Sequence, residues 1–237
     1  MSKNVVVLQP SYIPWRGYFH QIYRSDIFVF YDDVQYDTNG WRNRNQIKTS
    51  QGKQWLTIPV RRNSPHQELL IKDVEIDQNQ SWSKKHLKAL TFSYSKAPYF
   101  KKYLPLLESF YERKDLLLAD FVVETTIALA RLMDMKHAKF LRSSEIDGVG
   151  GQKSERLIQL LLKVGATHYI SGPSAQSYLD HDGFDAAGIT VEYMKYDYPE
   201  YPQLYPPYDA NVTILDLLFM VGKDDALNYI VRGNHAD

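Results

Sequence analysis

The stretch Val5-Val6-Val7-Leu8-Gln9-Pro10-Ser11-Tyr12-Ile13-Pro14-Trp15-Arg16-Gly17-Tyr18 decides how this chain is read. An apolar run that halts at Gln-Pro and empties into a loop rich in Pro, Gly and aromatic residues, just ahead of a helical pattern, is how an open α/β sheet builds a ligand site. The pattern predicts a strand at 5–9, a helix at 15–24 and a second strand at 27–31 that ends in Asp32-Asp33. This is a βαβ unit.

Outward from that unit the pattern changes twice. Residues 36–53 are polar and broken, whereas 55–60 and 69–76 alternate as strands do, which predicts a hairpin or edge extension beside the main sheet. From Trp82 to Met135 the apolar period becomes helical, and three helices broken near Pro98 and Pro105 fit it. Strands at 139–143, 167–171 and 190–196 then alternate with helices at 154–164 and 175–180, with Ser154 and Ser174 as caps. A surface loop crowded with Tyr and Pro at 196–208 leads into a last helix at 211–221. The expected fold class is α/β: a doubly wound, mainly parallel sheet interrupted by a helical insertion, with a β-hairpin extension. It is expected as one domain over 1–237, with 80–136 as the insertion.

The 237 residues are 44% apolar and 14% aromatic, enough for a packed core. Their 28 basic and 28 acidic side chains cancel, so no strong positive field favours nucleic acid as a partner. The absence of cysteine excludes disulfides, thiolate nucleophiles and cysteine-bound metals, and fits a cytoplasmic protein. The leading apolar run is too short for a signal peptide, and no stretch approaches the ~20 residues of a membrane span.

Candidate site residues cluster in four places. In the first loop, Gln9 and the backbone N–H groups opening the helix suit a polar or anionic ligand, Trp15 and Tyr18 form a flat wall, and Gly17 admits close approach. Tyr12 is counted with them, and His20 on the same helix is a candidate acid or base. Asp32 and Asp33 point to opposite faces of their strand, so Asp33 shares a face with Gln35 and becomes the second candidate base. Trp41-Arg42-Asn43-Arg44-Asn45 with Lys48 suits a phosphate or carboxylate, with Arg42, Arg44 and Gln46 on one face if the span is extended; a basic edge strand that resists aggregation is the alternative. Ser171-Gly172 ends a strand and can seat an anion or a flat ring. Asp180-His181 reads either as a catalytic pair or as a helix C-terminus, and Asp216, within Ile214-Leu215-Asp216-Leu217-Leu218-Phe219, as an anchor for a site arginine or half of a structural ion pair. No histidine spacing forms a metal site, so no cofactor is predicted, and magnesium would need ligands gathered from elsewhere.

Taken together, the first loop, Asp32-Asp33-Val34-Gln35, Trp41-Arg42-Asn43-Arg44-Asn45, Tyr169-Ile170-Ser171-Gly172, Tyr201-Pro202-Gln203 and Ile214-Leu215-Asp216-Leu217-Leu218-Phe219 closely resemble the WbqC-like family of bacterial proteins. The resemblance runs from the first strand to the last helix and adds Gln203 to the substrate contacts. It departs after the final Leu-Leu-Phe, where many relatives carry Asn and this chain has Met220. The resemblance implies a place in O-antigen or other surface-polysaccharide synthesis and transfer of glycine or a related amino acid to an amino sugar.

The expected activity is therefore an aminoacyl or acyl transferase. Its acceptor is a nucleotide-linked amino sugar and its donor an activated group such as an acyl- or peptidyl-carrier thioester. Asp33 or His20 serves as base, Gln9 and the loop N–H groups as oxyanion donors, and Arg42, Arg44 and Lys48 as diphosphate clamp. Two alternatives stand beside it. One is nucleotidyl transfer, weakened by the missing histidine motif; the other is a non-catalytic scaffold that docks a carrier through its Tyr/Pro loop.

Overall fold

The computed structural model describes residues 2–61 and 69–231, and in it the apolar run at 5–7 is buried on both sides. Val6 belongs to a core with Phe19, Ile22, Phe28 and Phe30, whereas Val5 and Val7 belong to another with Ile27, Val29, Leu160 and Phe184. Successive side chains of a strand point to opposite faces, so one short run feeds two cores and needs helices on both sides of its sheet.

In chain order the elements are β1 (Asn4–Leu8), α1 (Arg16–Arg24), β2 (Ile27–Phe30), β3 (Arg44–Thr49), β4 (Gly52–Thr57), α2 (Trp82–Tyr94), α3 (Phe100–Glu112), α4 (Leu118–Leu132), β5 (Lys139–Arg142), α5 (Lys153–Lys163), β6 (His168–Ser171), α6 (His181–Ala186), β7 (Thr190–Tyr193) and α7 (Ile214–Val231). Five strands pair in parallel in the order β5-β2-β1-β6-β7, with Val5 opposite Ile27 and Tyr169. β3 and β4 form a separate antiparallel hairpin. The α/β class and its doubly wound parallel sheet agree with the sequence.

Four local expectations are corrected. The hairpin uses 44–57, not 55–60 with 69–76, because the buried side of β3 includes a carboxamide: Asn45 Nδ2 donates to Ile13 O at 2.7 Å, while Asn43, just before the strand, donates from Nδ2 to Ile58 O at 2.8 Å. Residues 71–73 make a 3₁₀ turn that buries Ile71 and Val74 three apart. Pro105 lies inside α3, where it and Lys101, whose carbonyl it leaves without an intrahelical donor, both face solvent. The break falls instead after Glu112, where Arg113 Nε and Nη2 grip Asp115 at 2.7 and 2.6 Å. Residues 173–177 form a 3₁₀ turn, and the helix starts later, at His181, capped by Asp180 Oδ1 accepting from Gly183 N at 3.1 Å. Ser154 caps nothing, since its Oγ accepts from Asp180 N. α7 kinks at Gly222, whose φ of 77° favours glycine and where a Cβ would stand only 2.9 Å from the Tyr99 ring.

The helical excursion is tied to the first loop by a buried network. Tyr12 Oη lies 2.8 Å from His86 Nδ1 and 2.6 Å from Tyr111 Oη, and His86 Nε2 lies 3.1 Å from Thr57 O. A carbonyl only accepts, so Nε2 carries the proton and Nδ1 accepts from Tyr12. Burial pushes His86 down to about 4. An unfolded histidine titrates near 6.5, so the unfolded chain binds the extra proton between those values; stability is full above about 6.5 and falls by about 3 kcal/mol as pH drops to 4. Urea midpoints across that window should show the slope in wild type and lose this part of it in His86→Gln.

Candidate functional site

Sheet order reverses at β1: the chain builds β2 and β5 on one side, then returns to place β6 on the other. Connections leave in opposite directions there, and a crevice opens beyond the carboxyl ends of the strands. A cavity of about 1600 Å³ occupies it. Gln9, Asp33, Gln35, Ser171 and Gly172, from the exits of three strands, line this one cavity, joined by Trp15, Tyr18, Arg42 and Asn45.

The first loop is held by side chains from elsewhere. Ile13 sits at φ 35°, a conformation that strains a β-branched residue. Asn45 Nδ2 steadies it by donating to the carbonyls of Tyr12 and Ile13 at 3.0 and 2.7 Å. Gly17 does not line the cavity. It is glycine because the Trp15 indole lies against it, 2.3 Å from where a Cβ would stand. That packing turns Trp15 toward Tyr196, edge to face at 5.0 Å. Tyr18 Oη donates to Gln9 O at 3.2 Å, and burial pushes its pKa up.

Asp33 pairs with the Arg156 guanidinium and accepts from Ser143 Oγ at 2.5 Å. Its neighbour Asp32 turns the other way, fully buried, and binds Arg142 Nε at 2.6 Å and Ser144 N and Oγ at 3.0 Å each. Arg42 faces the cavity with no ion-pair partner among the described residues, and its buried Nε has no hydrogen-bond acceptor. Burial pulls its pKa down against the opposing pull of Tyr18 and Asp37. Buried Gln21 also borders the cavity, donating from Nε2 to Tyr196 Oη at 2.7 Å while its Oε1 is unpartnered.

Other expected site residues lie elsewhere. Tyr12 belongs to the buried His86 network. His20 does not line the cavity; its Nδ1 meets Tyr198 Oη at 2.9 Å, and burial, aided by Arg24, pushes it down to about 4. Arg44 turns outward over the Trp55 ring at 4.6 Å, and the buried Lys48 ammonium donates to Pro207 O. Of the expected clamp only Arg42 reaches the cavity, because the strand begins at Arg44 and the bend before it breaks the alternation. Gln203 Nε2 donates to Asp209 O and Asp216 Oδ1, both at 2.9 Å, away from the cavity. Asp216 holds no site arginine and makes no ion pair among the described residues: Tyr94 Oη donates to it at 2.8 Å, and burial raises its pKa. Asp180 is a helix N-cap, and His181 meets Tyr193.

Sequence reasoning missed Gln21, Lys153 and Arg156. The glycine-rich turn Gly148-Val149-Gly150-Gly151-Gln152-Lys153-Ser154, between β5 and α5, was an available signal for the last two. With them, three cations (Arg42, Lys153, Arg156) and one carboxylate (Asp33) line the cavity, and Arg156 is paired with Asp33. Among the described residues no group of three or more His, Cys, Asp or Glu could hold a metal ion, and no helix is long and apolar enough to cross a membrane.

Fold and site together define a doubly wound α/β protein with a crevice at its switch point whose lining carries three cations. Residues 9–228 match the WbqC-like protein family, and the chain belongs to that family. It is 41% identical over 234 residues to the uncharacterized protein Rv1507c of Mycobacterium tuberculosis, covering 96% of this chain and 98% of that protein. No solved structure matches it significantly.

Proposed function

We propose that this protein is a cytoplasmic transferase that moves an aminoacyl (glycyl-like) or acyl group from an activated donor to the amine of a nucleotide-linked amino sugar, in O-antigen or related glycoconjugate synthesis. The observation that carries this reading is Arg42, a guanidinium without an ion-pair partner among the described residues, facing a large switch-point cavity. Guanidinium forks bind phosphates bidentately. The cavity exceeds the ~300–1,000 Å³ of ordinary small-ligand sites, as a nucleotide-linked sugar meeting a donor requires.

In the reaction the amine lone pair attacks the donor carbonyl, the amide forms, the donor thiolate leaves, and the amine gives up a proton. Asp33 takes that proton; Ser143 and Arg156 hold it in place. The Gln9 carboxamide, which lines the cavity, serves the oxyanion, whereas Arg16 and Gly17 at the start of α1 lie outside it and the Tyr18 N–H is spent on Trp15 O. No cysteine exists to form an acyl-enzyme, which favours direct transfer. The scaffold alternative has less support, because the loop at 196–208 is spent on internal bonds: Tyr198 to His20, Tyr205 to Ser93 O, and Tyr208 to Arg16.

Calorimetry with a nucleotide-linked amino sugar tests the reading. Arg42→Lys keeps the charge and loses the fork, so affinity should fall by about 1–3 kcal/mol, while Arg44→Lys should leave it unchanged. Equal affinity in both variants would remove the anion site.

A further inference from the structure

Two of the four tryptophans keep a large exposed surface: Trp41 is 44% and Trp55 42% exposed. They are not scattered. Their ring centroids lie 5.2 Å apart, tilted by 34°, and the Arg44 guanidinium covers Trp55 at 4.6 Å. The Trp41 backbone is pinned by Tyr12 N donating to its carbonyl at 3.0 Å. Trp41 borders the cavity, and the next residue is Arg42. A partly exposed, braced indole bordering a cavity, adjoining a cation that makes no ion pair among the described residues, is complementary to a flat ring that carries phosphate.

We infer that Trp41 is a stacking shelf for the nucleobase of a nucleoside diphosphate whose phosphates reach Arg42. This deepens the proposed function and rests on it. The polarity of the ligand follows: base at the mouth, diphosphate beside Arg42, and the remainder directed toward Gln9, Gln21 and Asp33. Stacking tolerates any base, so discrimination among bases is expected to be weak.

The test compares ADP, UDP and inorganic pyrophosphate by calorimetry on the full chain. Wild type should bind either nucleotide about 5- to 150-fold more tightly than pyrophosphate, the scale of one base stacked on an aromatic side chain. Trp41→Ala should abolish that difference and leave pyrophosphate affinity unchanged; Trp41→Phe should restore most of it. The shelf alone is overturned if nucleotides bind no better than pyrophosphate, if Trp41→Ala keeps the difference, or if it weakens both ligands equally. If neither nucleotides nor pyrophosphate bind wild type, the anion-site reading falls as well.

Discussion

Replacing Asp33 with asparagine is expected to lower acyl-transfer turnover by about 10²–10⁴-fold, the usual worth of a positioned general base. An amide cannot take the proton that the attacking amine must lose, yet it fills the same space and can still meet Ser143. Circular dichroism should therefore report a native fold, and mass spectrometry of amino-sugar nucleotide mixed with a carrier thioester should report the loss. His20→Gln is the paired control. His20 lies outside the cavity against Tyr198, so turnover should survive its replacement. The opposite pattern would move the base to His20 and require the ligand to enter elsewhere, while a wild type inactive with every donor would leave the scaffold reading standing.

The second large effect is one of stability and sits one residue earlier. Asp32→Asn should destabilise the fold by about 3–5 kcal/mol, the cost of removing one partner of a buried ion pair. Asp32 is completely buried and accepts from Arg142, whose other guanidinium nitrogen holds Asp120 at 2.6 Å, so this carboxylate joins β2, β5 and α4. An asparagine turns an N–H group toward donors that need an acceptor. A domain has about 5–15 kcal/mol in all, so urea unfolding should show a large drop in midpoint with little change in slope. A drop below about 1 kcal/mol would mean that the site relaxes or that water replaces the lost acceptor. Neighbouring aspartates are thus expected to separate cleanly, one in activity and one in stability.

That separation is legible in part in the sequence. Alternation alone sends Asp32 and Asp33 to opposite faces and puts Asp33 with Gln35, and both of these line the cavity. The same period misled at 44–49, where the buried side of the strand is carried by Asn45 as well as Ile47 and looks polar in sequence. Period-based reasoning detects apolar burial. It is blind to carboxamides buried because backbone carbonyls elsewhere accept from them.

By itself, the sequence determined the α/β class, the crossovers around Val5-Val6-Val7 and the crevice beyond Gln9, Asp33 and Ser171. Those features follow from local chemistry: uniform apolar runs that must be covered on both faces, and turns that must carry Gly, Pro and Ser. Only the tertiary structure decided which polar residues meet there. His20, Lys48 and Gln203 carry suitable side chains but spend them on Tyr198, Pro207 and Asp216, whereas Arg156, 123 residues from Asp33, supplies its partner. A hydrogen bond needs both groups within about 3 Å, and sequence spacing constrains that distance only inside one helix or strand pair.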